Sequence, residues 1–190
     1  MIDSLYDCFK RWSATGSVFL VSDTHFDDSD CKLMDPNWIA PQEHIDVIKS
    51  KVHKSDTLIH LGDVGCPQWL EQIKGYKVLI QGNHDKIGEL RPYFDEVYAG
   101  PLIIAKKIML SHEPIPNINW CLNIHGHNHG GVYYDDKDPY HLNVASNVVN
   151  YQAINLKTII KDGYLNKITN IHRQTINKAK ESPLDFLKNI

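Results

Sequence analysis

The 190-residue sequence has few cysteines, and none of them is spaced as a pair. Cys8, Cys31, Cys66 and Cys121 stand far apart without a CxxC motif, which argues against a zinc ribbon or a redox dithiol. So few thiols in a chain of this size favour reduced cysteines in a cytosol-like compartment. We therefore expect a cytoplasmic protein.

The sequence also lacks long apolar runs and any large excess of charge. No apolar stretch approaches the ~20 residues that a membrane-spanning helix needs. The first ten residues lack the basic start and apolar run of a signal peptide. The net charge is −3, so no overall field draws the chain to nucleic acid or to an anionic membrane. We expect no membrane partner, and the oligomeric state stays open.

Repeats, linkers and low-complexity segments are absent as well, so residues 1–190 are expected to form a single domain. Its first half shows one pattern three times: a short apolar run, a polar cluster, then a helix or loop. The runs predict strands over 18–21, 57–61 and 77–80, with helices from Pro41 to about residue 53 and over 68–73. Residues 26–40 read as loop. Such alternation argues for an α/β fold with a largely parallel sheet.

The second half is richer in strands. A hairpin is predicted over 102–105 and 107–110, and further strands over 121–124 and 141–144. Helices are predicted over 156–161 and 172–188, within a C-terminal helical extension of about 155–190. His44, His53 and His172 fall in predicted helices, where we expect them on the surface.

Polar clusters follow five of these apolar runs, where the carboxyl ends of parallel strands bind ligands. The clusters are Asp23-Thr24-His25, Gly62-Asp63, Gly82-Asn83-His84-Asp85, Ser111-His112 and His125-Gly126-His127. Their nitrogen and oxygen donors suit manganese, iron, zinc, nickel or cobalt. Each cluster alone has an ordinary structural reading, for example a helix cap or a turn. Five such clusters in one chain predict a metal site.

The order of the clusters resembles the calcineurin-like metallophosphoesterase family, whose pattern is D-x-H, G-D, G-N-H-D/E, a histidine and G-H-x-H. The resemblance covers residues 17–150. It implies a four-layer α/β/β/α sandwich with a binuclear metal centre at the carboxyl ends of the strands. Ser111 and Ile124 stand where the family often has glycine.

The resemblance also implies roles for individual side chains. Two divalent ions would be held, with manganese favoured and iron, zinc, nickel, cobalt or magnesium as alternatives. The implied ligands are Asp23, His25 and His127 for one ion, Asn83, His112 and His125 for the other, and Asp63 as the bridge. A hydroxide shared by the ions would attack phosphorus in line. His84 would donate a proton to the leaving oxygen, and Asp85 would orient His84.

The expected activity is therefore that of a metal-dependent phosphoesterase, a hydrolase. A phosphodiesterase acting on small diesters or nucleotides is favoured, because the acidic segment 27–35 disfavours duplex nucleic acid. A phosphomonoesterase acting on nucleotides, phosphoproteins or sugar phosphates is the alternative, and a non-catalytic binding module is a third reading. His129 is considered as a substrate contact. His60 is expected to pack beneath the site.

Overall fold

The structure, a computed structural model, describes residues 3–4 and 6–169. Its strands in chain order are β1 (Asp3–Ser4), β2 (Val18–Val21), β3 (Thr57–His60), β4 (Tyr76–Ile80), β5 (Glu96–Tyr98), β6 (Leu102–Ala105), β7 (Ile108–Leu110), β8 (Leu122–His125), β9 (His141–Asn143) and β10 (Ile154–Asn155). The α-helices are α1 (Tyr6–Trp12), α2 (Cys31–Met34), α3 (Pro41–Lys49), α4 (Ile87–Leu90) and α5 (Leu156–Lys161). Short 3₁₀ helices cover Pro67–Gln72, Arg91–Tyr93 and Tyr164–Lys167.

The strands form two mixed five-stranded sheets. The first sheet has the order β10-β2-β3-β4-β5, in which β2 to β5 are parallel and β10 is antiparallel. The second sheet has the order β1-β6-β7-β8-β9, with one antiparallel pair, β6 and β7. The predicted α/β class, the parallel strands β2 to β4 and the β6–β7 hairpin are thereby confirmed.

The two sheets pack face to face over a shared apolar core. Side chains alternate along each strand, so that Leu20 and Ile59 of the first sheet meet Leu110 and Ile124 of the second. The opposite face of the first sheet packs against α3 and the 3₁₀ helix Pro67–Gln72. On the outer face of the second sheet, Ile103 of β6 and Met109 of β7 pack with residues that lie in no helix: Ile115, Ile118, Trp120, Cys121 and Tyr140. Among residues 3–4 and 6–169, a fourth, helical layer is therefore not seen.

Several element boundaries differ from the prediction. Helix α3 ends at Lys49, with Ser50 as its C-cap, and so stops before the predicted end at about residue 53. The apolar Val52 is buried just beyond the helix. Helix α2 lies within the segment predicted as loop. The edge strands β1, β5 and β10 were not predicted, because two or three residues carry no clear periodicity. Helix α1 was not predicted either. Helix α5 is found as predicted, whereas the helix predicted over 172–188 lies outside the described residues.

Within the described part of the chain, no helix combines the length and the apolar character needed to cross a bilayer.

Glu96 of β5 connects α1 to the edge of the first sheet. Its Oε1 accepts hydrogen bonds from Arg11 (2.8 Å), Trp12 Nε1 (3.1 Å) and the Tyr76 hydroxyl (2.7 Å), and its Oε2 accepts one from the Tyr98 hydroxyl. Burial by itself raises the pKa of Glu96, but these hydrogen bonds outweigh it and lower the pKa below its usual value. The ionised carboxylate is therefore the form that the fold stabilises.

We expect Glu96→Gln to lower the free energy of unfolding at pH 7 by ~1–3 kcal/mol, the usual range for hydrogen bonds to a charged group. A carboxylate whose pKa is lowered by folding stabilises the folded protein at pH values above its unfolded pKa of about 4.3. This stabilisation is lost as the pH falls through the folded pKa. The difference between wild type and variant should therefore shrink below about pH 4, as measured by urea unfolding. Glu89→Gln, at an exposed ion pair with Lys86, is the matched control. A loss that is independent of pH would contradict this role.

Candidate metal centre

The polar loops of both sheets meet at one end of the sandwich. The Asp23 N–H donates to the Gly62 carbonyl (2.9 Å), which joins the loops after β2 and β3. The Gly126 N–H donates to the His112 carbonyl (2.9 Å), which joins the loops after β7 and β8. A bridge between Ser22 and Ala145 connects the two sheets at the same end. Clusters distant in sequence are thus brought to a single site.

The backbone of this site is strained. Asp23, His25, Asp63 and His127 have φ angles of 54°, 41°, 56° and 66°, in the left-handed region that residues other than glycine rarely adopt. Such conformations cost ~1–3 kcal/mol each and persist where the surrounding structure fixes them, commonly at functional sites. Asp23 and His25 reach a common point through this turned backbone.

The first donor group consists of Asp23, His25 and His129, whose ligand atoms lie within 4.8 Å of one another. Both Asp23 oxygens accept the His127 N–H, at 3.0 and 2.9 Å, and Oδ1 lies 3.7 Å from His129 Nε2. Burial raises the pKa of this fully buried carboxyl. His25 Nε2 is buried and has no hydrogen-bond partner. A bound cation would compensate both features.

The second donor group consists of Asp63, His112 and His127, again within 4.8 Å. Asp63 Oδ2 lies 3.3 Å from His112 Nε2 and 3.7 Å from His25 Nε2, so Asp63 stands between the two groups. Asn83 Oδ1 lies 2.7 Å from His112 Nε2 and 3.1 Å from His127 Nδ1. Asn83 therefore belongs to this group as a neutral oxygen donor.

Hydrogen bonds at Nδ1 orient the rings of three histidines. His112 Nδ1 donates to the Leu61 carbonyl (2.8 Å), and His25 Nδ1 donates to the Asp28 carboxylate (3.0 Å). His129 Nδ1 donates to Asn147 Oδ1 (3.0 Å), and the Asn147 amide is oriented because its Nδ2 donates to the His129 carbonyl (2.9 Å). Nε2 is then the nitrogen of each ring that faces the donor groups, where a metal ion would take the place of any Nε2 proton. Metal-binding histidines are commonly held in this way.

The charge of Asp63 also suits a cation. Burial alone would raise the pKa of its carboxyl, but the hydrogen bond and charge of His112 and the bond from the His84 N–H lower it to about 2. Asp63 is thus ionised throughout the neutral range. The buried groups of aspartate and histidine could hold metal ions, with nitrogen and oxygen donors suited to divalent transition metals.

His125, predicted as a ligand, lies apart from both groups. Its Nδ1 donates to the carbonyl of Gly126 (2.8 Å), its ring packs against His141 with centroids 5.6 Å apart, and burial lowers its pKa to about 4. His127 takes the place predicted for His125 beside Asn83. His129 takes the place predicted for His127. The geometry therefore favours a histidine pair two residues later than the predicted one.

The backbone at Gly126 and His127 explains this shift. The chain turns at His127 (φ 66°), so that His127 and His129 face the two groups and His125 remains on strand β8. A Cβ atom at Gly126 would lie 1.9 Å from Ser22 Oγ and 2.1 Å from Asp23 Oδ2, so only glycine fits there. His125, His127 and His129 alternate, so the pattern HxH fits either the first two or the last two of them. The glycine directly before His127 is the signal that distinguishes them.

Asp85 also has a different role from the predicted one. Its Oδ2 accepts the N–H groups of Gly82 (2.8 Å) and Asp63 (3.0 Å), and its Oδ1 accepts that of Val64 (2.9 Å). Asp85 therefore fastens the loop after β3 to the loop after β4 and does not orient the His84 ring. The exposed His84 lies at the mouth of the site, with its ring centroid 5.9 Å from that of His25.

His60 supports the site from below, as expected. Its Nδ1 accepts the Gly62 N–H (3.1 Å), and its Nε2 donates to Thr24 Oγ1 (3.0 Å). Burial lowers the pKa of the ring to about 3, which keeps it neutral. His60 thus holds the loops of Asp23 and Asp63 without facing the donor groups.

Comparison with known proteins gives relatives but no activity. No model of a known protein family matches the chain. The uncharacterized protein MJ1445 of Methanocaldococcus jannaschii is 29% identical over 168 residues, covering 76% of this chain and 89% of that protein. The crystal structure of AQ665, a protein of unknown function from Aquifex aeolicus, superposes with a TM-score of 0.62 at 28% identity, over 76% of this chain and 98% of that one. The chain thus shares its fold with a solved protein over 76% of its length.

Proposed function

We propose that this protein is a metal-dependent phosphoester hydrolase with two divalent ions, manganese being the favoured metal. One observation carries the proposal: Asp63 stands between two adjoining groups of aspartate and histidine, with its Oδ2 3.3 Å from His112 Nε2 and 3.7 Å from His25 Nε2. We assign Asp23, His25 and His129 to one ion, Asn83, His112 and His127 to the other, and Asp63 to both. Two neighbouring divalent ions are a common arrangement in enzymes that cleave phosphoesters.

We propose that the chain is a member of the calcineurin-like metallophosphoesterase family. Shifted by two residues, the last motif becomes Gly126-His127-Asn128-His129, which contains the glycine that the first reading lacked. The facing pair of sheets, with the donor loops at the carboxyl ends of β2, β3, β4, β7 and β8, agrees with the two inner layers of the sandwich expected of that family. The order of residues in the motif and the arrangement of the sheets are separate observations, and both support the proposal.

The chain's own residues have separable tasks in this hydrolysis. Bound divalent ions would supply a water molecule of lowered pKa and neutralise charge on the phosphoryl oxygens. His84, exposed at the mouth, is placed to donate a proton to the leaving oxygen. Its N–H donates to Asp63 Oδ1 (2.9 Å), which fixes the start of its side chain relative to the donor groups. Asp85 keeps these two loops together.

A phosphodiesterase for small diesters or nucleotides is the specific activity that we propose. The loop beside the first donor group carries Asp27 and Asp28, and the Asp28 carboxylate is ionised because hydrogen bonding from the Asp30 N–H lowers its pKa. Negative charge at this rim opposes a long polyanion such as duplex nucleic acid. A diester with a single charge is repelled less than a monoester with two.

The test is a pair of model substrates with one leaving group. Full-length protein is stripped of metal, reloaded with manganese, and assayed on bis(p-nitrophenyl) phosphate and p-nitrophenyl phosphate. We expect kcat/KM for the diester to exceed that for the monoester at least ~10-fold, a difference of about 1.4 kcal/mol in barrier. A preference for the monoester would replace this activity by that of a phosphomonoesterase. Binding of two ions without turnover of either ester would indicate a binding module.

A further inference from the structure

His44 is buried in α3 without a hydrogen-bond partner. Only 1% of its surface is exposed, and neither ring nitrogen has a partner. The prediction that it lies on the surface was wrong, because His44 occupies the same buried side of the helix as Ile45 and Ile48. Buried polar groups are nearly always hydrogen-bonded in folded proteins, so an exception of this kind calls for a ligand or a special role.

The surroundings of His44 keep its ring neutral. Its ring lies beside Phe26 and Tyr151, with centroids 5.5 and 5.2 Å away. Burial lowers the pKa of His44 to about 4, so near pH 7 the ring presents one N–H donor and one nitrogen acceptor. A neutral imidazole in this position can recognise a polar group but cannot balance the charge of an anion.

His44 lines a cavity that begins at the first donor group. The cavity has a volume of about 390 Å³ and extends from His25 past Phe26 and Trp38 to His44. The Trp38 ring lies 6.0 Å from the His25 ring and 5.6 Å from the His129 ring, measured between centroids. A group in this cavity would thus be adjacent to a phosphoester at the candidate metal centre and would meet aromatic walls.

The charges around the cavity exclude a second phosphate as its occupant. Asp27 and Asp28 belong to its lining, and their negative charge opposes an anion. Lys32 also belongs to the lining, but its ammonium donates to the carbonyls of Pro36 (3.3 Å) and Trp38 (2.5 Å), and so stabilises the loop. An uncharged, flat group with both hydrogen-bond donors and acceptors fits these walls better.

We propose that this cavity receives the heterocyclic base of a nucleotide substrate, packed beside Trp38 and hydrogen-bonded to one ring nitrogen of His44. The assignment of the phosphoester to the neighbouring donor groups rests on the proposed function. Nucleobases stack on aromatic side chains irrespective of their identity, and their edges carry the donor and acceptor atoms that a neutral imidazole matches. The cavity thereby selects nucleotides among small phosphoesters.

Kinetics with and without a base in the substrate test this selection. The p-nitrophenyl ester of thymidine 5′-phosphate is compared with bis(p-nitrophenyl) phosphate, in wild type and in His44→Phe. We expect kcat/KM for the thymidine ester to fall ~10-fold or more in His44→Phe, since one buried hydrogen bond is worth about that factor. The rate for the diester without a base should stay within about twofold. His44→Gln, which retains a donor and an acceptor, should restore part of the loss.

His141→Phe is the matched control, because His141 lines the separate cavity next to His125. It should leave the preference for the thymidine ester unchanged. Loss of this preference in His141→Phe but not in His44→Phe would overturn the proposal and place the base in the other cavity. His44→Phe removes an unpartnered buried polar side chain, so its melting temperature should equal or exceed that of wild type. If His44→Phe melts at a lower temperature than wild type, the smaller substitution His44→Leu is used in its place.

Binding provides a readout that needs no turnover. Calorimetric titration of the full chain compares adenosine 5′-monophosphate with ribose 5-phosphate, which differ only by the base. We expect the nucleotide to bind wild type at least ~10-fold more tightly than ribose 5-phosphate does. In His44→Phe this ratio of affinities should fall, with the part due to packing beside Trp38 retained. Equal affinities in wild type would overturn the base site. Base-dependent binding without hydrolysis of any ester would refute the hydrolase and leave the base site standing.

Discussion

Asp63→Asn is expected to lower manganese-dependent hydrolysis of bis(p-nitrophenyl) phosphate by ~10³-fold or more. The substitution keeps the shape of the side chain but removes the charge between the two donor groups, which lie within reach of one Asp63 oxygen. Loss of several kcal/mol of metal-derived stabilisation corresponds to a rate change of this size, since about 1.4 kcal/mol is tenfold. The bound metal, measured by mass spectrometry of the purified protein, should fall below two ions per chain.

Asp162→Asn is the control for Asp63→Asn. Asp162 is an exposed carboxylate at the end of α5 and belongs to neither donor group. Its substitution should leave the rate and the metal content unchanged. Two ions per chain and a rate within tenfold of wild type in Asp63→Asn would exclude Asp63 as the shared ligand, and with it the proposed centre.

His129→Gln and His125→Gln are expected to give opposite results. His129 faces Asp23 with its Nε2 at 3.7 Å, so its loss should remove one of the two ions and lower the rate ~100-fold. His125 donates to the Gly126 carbonyl and belongs to neither donor group, so His125→Gln should retain both ions. Metal content and rate at saturating manganese are measured on the two variants in parallel.

The comparison between these two variants decides the register of the histidine motif. Each variant replaces a histidine by glutamine within the same five-residue segment, so the two variants differ only in the position of the change. Retention of both ions by His129→Gln, together with loss of an ion in His125→Gln, would restore the original assignment of the pair His125 and His127. A modest loss of stability in His125→Gln is expected, because His125 is buried against His141.

The sequence predicted those parts of the fold that depend on a strong local pattern. The sequences of β2, β3 and β4 are apolar runs that end in polar clusters. These strands are found close to their predicted bounds. The strands β5 and β10 are held by pairing with β4 and β2, in stretches whose own residues are half-buried. Pairing with a distant strand is a tertiary interaction, which no local pattern contains.

For the candidate site, residue types were predictable and side-chain directions were not. Asp23, His25, Asp63, Asn83 and His112 lie together as the motif order indicated. The direction of the histidine pair depends on a left-handed residue at His127, which the sequence signals only through the preceding glycine. The bonds of Asp85 to three amides of adjoining loops require the folded arrangement of β3 and β4.

Both donor groups draw on both sheets, and this has a consequence for folding. The ligands of the first group follow β2 of one sheet and β8 of the other, and those of the second follow β3, β7 and β8. An ion in either group would act as a cross-link between the two layers of the sandwich, so its binding free energy would add to the free energy of folding. The concentration of free metal ion would then influence the fraction of the protein that is folded, even in the absence of substrate.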